Sequence, residues 1–585
     1  MAWYDEAVFY HIYPLGLTGA PMENSYGEVE HRLNTLIPWI THIKEIGCNA
    51  LYIGPLFESV GHGYETTDYK KLDSRLGDNK DLTNFVAECH KQGIKVILDG
   101  VFNHTGRDFF AFKDIQKNRE NSQYKDWYCN VNFSGNTEYN DGFSYENWGG
   151  YNLLVKLNQQ NPAVRDYICD VIRFWVSEYD IDGIRLDAAD VLDFNYMHAL
   201  RQVANEVKPD FWLMGEVIHG DYSRWVNEGT LHSVTNYQLH KALYSGHNDH
   251  NYFEIAHTVK RLYEMGGNKP DGLKLYNFVD NHDVERIYTK LDNKAHFAPV
   301  HVLEYTLPGV PSIYYGSEFG IEGRKEKFSD ASLRPALNLD DYKDAVTNNS
   351  FTRLIAALGK TRQSCKALSY GDYKELLLMN RQYAFSRNYN GESVVVTVNN
   401  DDSDYTMTLP AGNVAEYMGA LSGEKVPVNN GNIVVNVKAN SGEIWIPVTD
   451  GSVKTESSSP VELNVADAVT DITKDAAPAN ETADTLSETP APSEETAEIP
   501  ISDNTADSAE EKEDTFTVSS TADTNANNSA FDAEQLAFEK GKIAGLQEAI
   551  LAIMEKNGPV TDQMRKDVEA NVYHDSLVNW VKSFR

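Results

Sequence analysis

Positive charge is scarce in this 585-residue chain: 52 Lys and Arg stand against 87 Asp and Glu, a formal net charge of −35. Nucleic-acid binding needs clusters of Lys and Arg, and so does attachment to an anionic membrane surface, so both are disfavoured. A neutral substrate is unaffected. Long apolar runs are missing too, which leaves no membrane-spanning helix to expect. The first residues, Met-Ala-Trp-Tyr-Asp-Glu, carry acids where a secretory signal has a basic region. No apolar core or small-residue cleavage site follows, so a cytoplasmic protein is expected. Cysteine is sparse and odd in number: Cys48, Cys89, Cys129, Cys169 and Cys365. They show no metal-knuckle spacing and read as reduced thiols. No glycine-rich phosphate loop follows the first strand, so a nucleotide-binding open sheet has no support.

What is present is a regular alternation. Ala7–Tyr13, Ala50–Ile53, Val96–Val101, Gly183–Ala188, Phe211–Val217, Ser233–Tyr237, Leu275–Val279 and Ser312–Tyr315 read as short apolar strands. Helical patterns lie between most of them. Leu36, Ile40, Ile43 and Ile46 form one stripe over 35–46, and Val164, Ile168, Val171, Ile172, Trp175 and Val176 another over 163–179. A helix over Asp81–Gln92 is expected to begin on an acidic cap and stop at Gly93. Eight strands alternating with helices predict an α/β fold, a (β/α)8 barrel over residues 1–365. One connection, 105–160, is too long for a barrel loop and predicts an inserted domain after the third strand, on the face where barrel active sites form. From 366 to 449 short alternating runs punctuated by Gly, Asn and Asp predict a C-terminal antiparallel β-sandwich.

Residues 450–530 hold 19 acidic against 3 basic residues and one aromatic, Phe516. Such a segment cannot bury enough apolar surface to offset its ordering entropy and reads as a disordered acidic linker. Residues 531–585 regain helical periodicity through Leu536, Ile543, Leu546, Ile550 and Ile553, with a break at Gly558-Pro559. They predict a helical tail module suited to a homo-oligomer contact or a protein partner.

Four segments fall at carboxyl ends of the predicted strands: Asp99-Gly-Val-Phe-Asn-His104, Gly183-Ile-Arg-Leu-Asp187, Gly215-Glu216-Val217 and Phe278-Val-Asp-Asn-His-Asp283. Strand alternation puts Gly183, Arg185 and Asp187 on one face. An Arg beside a carboxylate lowers its pKa and keeps it ionised, as a nucleophile requires. Glu216 ends an apolar strand, and desolvation there would raise its pKa, as a general acid requires. One ionised and one protonated carboxyl suit glycoside cleavage through an oxocarbenium-like state. Asp283, beside His282, is a third acid.

In order and spacing these segments resemble the conserved regions of the α-amylase family of glycoside hydrolases, over about residues 5–449. The resemblance implies that Asp187 is the nucleophile, Glu216 the acid/base and Asp283 the transition-state stabiliser. It implies that His104, Arg185 and His282 contact the sugar at the cleavage site and that Tyr64, in His62-Gly-Tyr-Glu-Thr-Thr-Asp-Tyr69, stacks on it. Asp68 is a further substrate-binding candidate. Leu154-Val-Lys-Leu-Asn158 resembles the segment that marks the neopullulanase and cyclomaltodextrinase group, with Val155 where a proline is usual, and it adds Lys156 to the substrate-binding set. The first strand ends in Tyr13-Pro-Leu-Gly, where the family more usually has Pro-Asp-Arg. The chemistry needs no cofactor. Many members of the family bind a structural calcium through an Asn at the position of Asn103, and Asp126 and Asp141 offer further oxygens. The expected activity is retaining hydrolysis of α-1,4 bonds in short maltodextrins, with α-1,6 bonds and cyclodextrins left open. A 4-α-glucanotransferase would use the same residues. A non-catalytic sugar-binding or scaffold barrel would be expected to have lost acids that are all present here.

Overall fold

In the computed structural model, which describes residues 2–266, 272–327 and 329–448, eight parallel strands form one sheet. They are β1 (Phe9–Ile12), β2 (Ala50–Ile53), β3 (Lys95–Gly100), β4 (Gly183–Leu186), β5 (Trp212–Gly215), β6 (Ser233–Val234), β7 (Tyr276–Phe278) and β8 (Val310–Tyr314). The order is β6-β5-β4-β3-β2-β1-β8-β7. A parallel bridge from Thr235 to Tyr276 joins β6 to β7 and closes the barrel.

Alternation along these strands divides the core in two. Phe9, Tyr52, Ile97, Trp212, Met214, Tyr276 and Phe278 point inward and pack on one another. Tyr10, Ile12, Leu51, Val96, Leu98, Ile184, Leu186 and Leu213 point outward into the layer shared with the helices. Gly183 faces inward because nothing larger fits: a Cβ there would lie 2.9 Å from Ile97 and 3.1 Å from the Trp212 Cβ. The barrel is therefore packed with aromatic and apolar side chains low in its interior, with Asp99 and Arg185 at the carboxyl ends of its strands, which is where a barrel can open a site.

Among the surrounding helices, α1 (Ile37–Glu45), α2 (Asn79–Lys91), α3 (Pro162–Tyr179) and α4 (Phe194–Val207) follow β1, the β2 excursion, the insert and β4. The α2 boundary corrects the sequence reading. Its cap is Asp78, which accepts from the backbone N–H of Lys80 and Asp81, while the Asp81 side chain reaches back to the Asp78 N–H at 2.9 Å. The two acids form a reciprocal box, and Asp81 is its second member and not its start.

The insert holds a helix, Phe110–Asn118, and a three-stranded sheet of His104–Thr105, Asn147–Trp148 and Tyr151–Lys156. Phe112, Tyr128, Phe143, Tyr145 and Val155 are buried in it. The C-terminal part has a six-stranded antiparallel sheet facing a two-stranded one, Tyr405–Pro410 with Asn432–Val437, across a core that includes Met407, Leu409, Ile433 and Trp445. Two of its strands, Glu416–Gly419 and Lys425–Pro427, escape the sequence reading, being short and half polar. Arg387 ties this part to the barrel by donating to the Thr306 carbonyl at 2.6 Å. The acidic linker and helical tail read at 450–585 lie outside the described residues. Among the described residues no helix is long and apolar enough to cross a membrane.

Replacing the α2 cap, Asp78→Ala, is expected to lower unfolding stability by about 1 kcal/mol, while Asp78→Asn stays within a few tenths. Chemical denaturation of the two variants checks this; equal midpoints would show that the acidic box contributes nothing.

Candidate active site

Four acids and one guanidinium meet at the mouth of the barrel because neighbouring strands end there in register. Asp99 of β3 is the lateral partner of Arg185 of β4. The Glu216 N–H donates to the Leu186 carbonyl at 2.9 Å, which sets Glu216 beside Asp187. Arg185, 3% exposed, donates from Nη1 to both oxygens of Asp99, at 2.9 and 3.1 Å, and to Asp187 Oδ1 at 3.0 Å. Its Nη2 lies 2.9 Å from Glu216 Oε2. One cation thus serves three carboxyl groups.

At Asp187 the shift runs opposite to the one expected from Arg185 alone. Burial pushes the Asp187 carboxyl well up; Arg185 opposes the shift, and the charges of Glu216, Asp99 and Asp283 add to it. Burial also raises Asp99 against the pull of Arg185. A single guanidinium shared three ways offers each carboxyl only part of its charge, so at Asp187 burial and the neighbouring acids outweigh it. Nor is Glu216 in apolar surroundings. The apolar members of β5, Trp212 and Met214, lie below it inside the barrel. Glu216 stands at the rim, where it accepts from the Ala188 N–H at 3.1 Å and the Tyr237 hydroxyl at 3.4 Å.

The opposite wall is built around His282 and Asp283, which follow β7. Asp283 lies 3.0 Å from His282 Nε2 through Oδ2 and accepts from Arg334 Nη2 at 3.0 Å through Oδ1. Burial, then Arg334 and Arg185, hold the His282 imidazole neutral. The Tyr64 hydroxyl donates to Asp99 at 3.1 Å and lies 2.5 Å from His282 Nε2, so that imidazole carries its proton on Nε2. Tyr13, from the segment in which the first strand departs from the family pattern, lies parallel to the His282 ring at 5.7 Å and under the Arg334 guanidinium.

Tyr64, Arg185, Asp187, Glu216, His282 and Asp283 are therefore brought together. The other sequence candidates are not all placed as expected. His104 is buried beneath Tyr64 with both ring nitrogens occupied: Nε2 lies 3.1 Å from the Tyr64 carbonyl and Nδ1 3.2 Å from the Asn103 amide. Burial lowers its pKa to about 4. It supports Tyr64 and offers no free hydrogen-bonding atom to a sugar. Asp68 faces away: its Oδ1 accepts from the Lys70 N–H at 2.8 Å, and its charge is felt by Tyr167 and Tyr179 of α3. Lys156 lies laterally opposite His104 and pairs with Glu146. Both line a cleft of about 770 Å3 between the insert and the loop after β4. Asp190, on that loop and lining the cleft, is pushed up by burial and then by the Glu216 charge.

The surroundings of Asn103 do not fit a calcium ion. Its side-chain oxygen already accepts from Gln159 Nε2 at 3.0 Å. Asp141 is ion-paired with Arg107 at 2.6 Å. Among the described residues, the His, Cys, Asp and Glu side chains close enough to share an ion are His31, Asp78 and Asp81, at the α2 cap.

Four members of the site escape the sequence reading. Asp99 heads a quoted segment, and its signal was available: an acid two positions beyond inward-facing Ile97 must also face inward. Tyr52 obeys the same rule and donates to Asp99 at 2.8 Å. Tyr237 and Arg334 come from an α-helix start and an irregular loop, where no periodicity marks them.

Comparison with known proteins agrees with this geometry. Residues 22–366 match the family described as alpha amylase, catalytic domain, and residues 371–445 the alpha-amylase C-terminal domain. A cyclomaltodextrinase of a Bacillus species is 31% identical over 70% of this chain and 75% of its own. Neopullulanase 2 of Thermoactinomyces vulgaris is 30% identical over 76% of this chain and 78% of its own. A solved cyclomaltodextrinase structure superposes with a TM-score of 0.64 at 27% identity, covering 76% of this chain and 78% of that one.

The crowded acids have a measurable cost. A carboxyl whose folded pKa lies above its unfolded value contributes stability that is fully present below the unfolded value, about 3.9 for Asp, and is lost as pH rises through the folded one. Asp187→Asn is therefore expected to raise the thermal midpoint at neutral pH, by about 2–4 °C, with the gain vanishing below about pH 4. Thermal scans of both proteins across pH check this; a midpoint lowered at neutral pH contradicts it.

Proposed function

The chain belongs to the α-amylase family of glycoside hydrolases, and on that premise we propose that it hydrolyses α-glucosidic bonds of short or cyclic maltodextrins with retention of configuration. The observation that carries this reading is the shared grip of Arg185 on Asp187 and Glu216. Adjacent strands run about 4.8 Å apart, so carboxyls leaving neighbouring strand ends and held by one guanidinium sit close together. Retaining enzymes need about 5–5.5 Å between the pair, and inverting ones a wider gap that admits water.

In this mechanism Glu216 protonates the glycosidic oxygen while Asp187 attacks the anomeric carbon, forming a glycosyl ester and freeing the leaving sugar. Glu216 then takes a proton from water as that water attacks the ester, restoring Asp187. Asp283, oriented by His282 and Arg334, places negative charge beside the developing oxocarbenium ion. Tyr64, fixed through its hydroxyl by Asp99 and His282, offers its ring as a platform for the sugar being cleaved. The cleft with Lys156 and Asp190 on its walls receives the leaving sugar. The names of the relatives favour short and cyclic maltodextrins as substrate.

Glu216→Gln and Asp187→Asn are each expected to lower kcat by at least about a thousandfold on maltotriose, pullulan and β-cyclodextrin assayed side by side, with the fold retained. Substantial turnover by either variant would remove its residue from the chemistry. Longer oligosaccharides accumulating from maltotriose would show that transfer to sugar outruns hydrolysis.

A further inference from the structure

We propose that Gln159 takes the place of a divalent cation as the tie between insert and barrel, and that through Asn103 and His104 it acts as a positioning residue for Tyr64. This rests on the placement of Tyr64 in the proposed site. The groups form one buried chain. Gln159 Oε1 accepts from the backbone N–H of Asp193, the cap of α4, at 2.6 Å. Gln159 Nε2 donates to Asn103 Oδ1 at 3.0 Å. Asn103 Nδ2 lies 3.2 Å from His104 Nδ1, and His104 Nε2 lies 3.1 Å from the Tyr64 carbonyl. Gln159, Asn103 and His104 are all buried.

The polarity of this chain is not a free choice. A backbone N–H can only donate, so the Gln159 oxygen must face Asp193 and its nitrogen must face Asn103. The Asn103 oxygen is thereby taken, and its nitrogen must donate to His104 Nδ1. At the far end a backbone carbonyl can only accept, so His104 must carry its proton on Nε2. A fixed donor at one end and a fixed acceptor at the other settle both amide orientations and the imidazole tautomer between them. Each side-chain nitrogen and oxygen of the chain has a hydrogen-bond partner without a cation, and the Gln159 NH2 stands against the Asn103 oxygen that a cation would need. The relay joins three elements: the start of α4, the return of the insert at 157–160, and the segment after β3. Its last link holds the backbone of the residue whose hydroxyl bridges Asp99 and His282.

The first arm needs no variant. The full chain, stripped with EDTA, is expected to show thermal midpoints within about 1 °C of each other in EDTA and in millimolar calcium chloride; calcium raising the midpoint by several degrees overturns the substitution. This arm is independent of substrate and of the proposed reaction. In the second arm, Gln159→Leu is expected to raise KM about tenfold on whichever α-glucan the wild type cleaves, with kcat changed less than about threefold; an unchanged KM overturns the positioning role. In the third, Asn103→Asp keeps the acceptor for Gln159 but faces His104 Nδ1 with an oxygen. His104 must then bind a second proton, so near-wild-type KM is expected at acid pH and a rise in KM as pH increases through the histidine range. A KM profile parallel to the wild type's overturns the relay.

Discussion

Arg185 is the constraint on which the rest of the site depends. A buried guanidinium needs compensating charge, and three carboxyls supply it from three adjacent strand ends. None of those acids would stay buried without it, and it would not stay buried without them. Excess negative charge follows directly, since one cation faces Asp99, Asp187 and Glu216 with Asp283 close by. The raised Asp187 carboxyl follows from that excess together with its burial.

The barrel makes this possible by separating packing from chemistry along each strand. Lower inward positions are filled by Trp212, Phe9, Tyr276 and their neighbours, which leave no water-filled interior to screen the charges above. The upper inward positions, His11, Tyr52, Asp99 and Arg185, are polar or charged and buried. His11 lies flat on Tyr52 at 4.1 Å and meets His282 edge-on, so aromatic rings floor the acid cluster. The insert and the loops supply what the strands do not: Tyr64, the cleft, and the relay through Gln159.

Much of this was legible in the sequence because alternation with a period of two needs no tertiary knowledge. Arg185 and Asp187 on one face, and Glu216 and Asp283 at strand ends, follow from reading apolar runs that stop at polar residues. Asp99 was passed over because it sits inside its strand and looks like the run's continuation, not its end. Charge states were not legible, because they depend on how many acids share one Arg, and that number is set by convergence of strands distant in sequence. His104 shows the same limit: its place was readable, but the occupation of both its nitrogens by Asn103 and the Tyr64 backbone was not. Arg334 belongs to a loop without a repeating pattern, and only its contacts with Asp283 and Tyr13 identify it.

Retention requires the carboxyls of Asp187 and Glu216 to be close enough for direct attack by one on the sugar the other activates. The configuration of the sugar at the moment of release reports that arrangement directly. A proton NMR time course on a short maltodextrin, recorded faster than mutarotation, is expected to show the α-anomer of the newly formed reducing end first. The β-anomer appearing first would mean that water, and not Asp187, attacks the anomeric carbon, and would contradict the account.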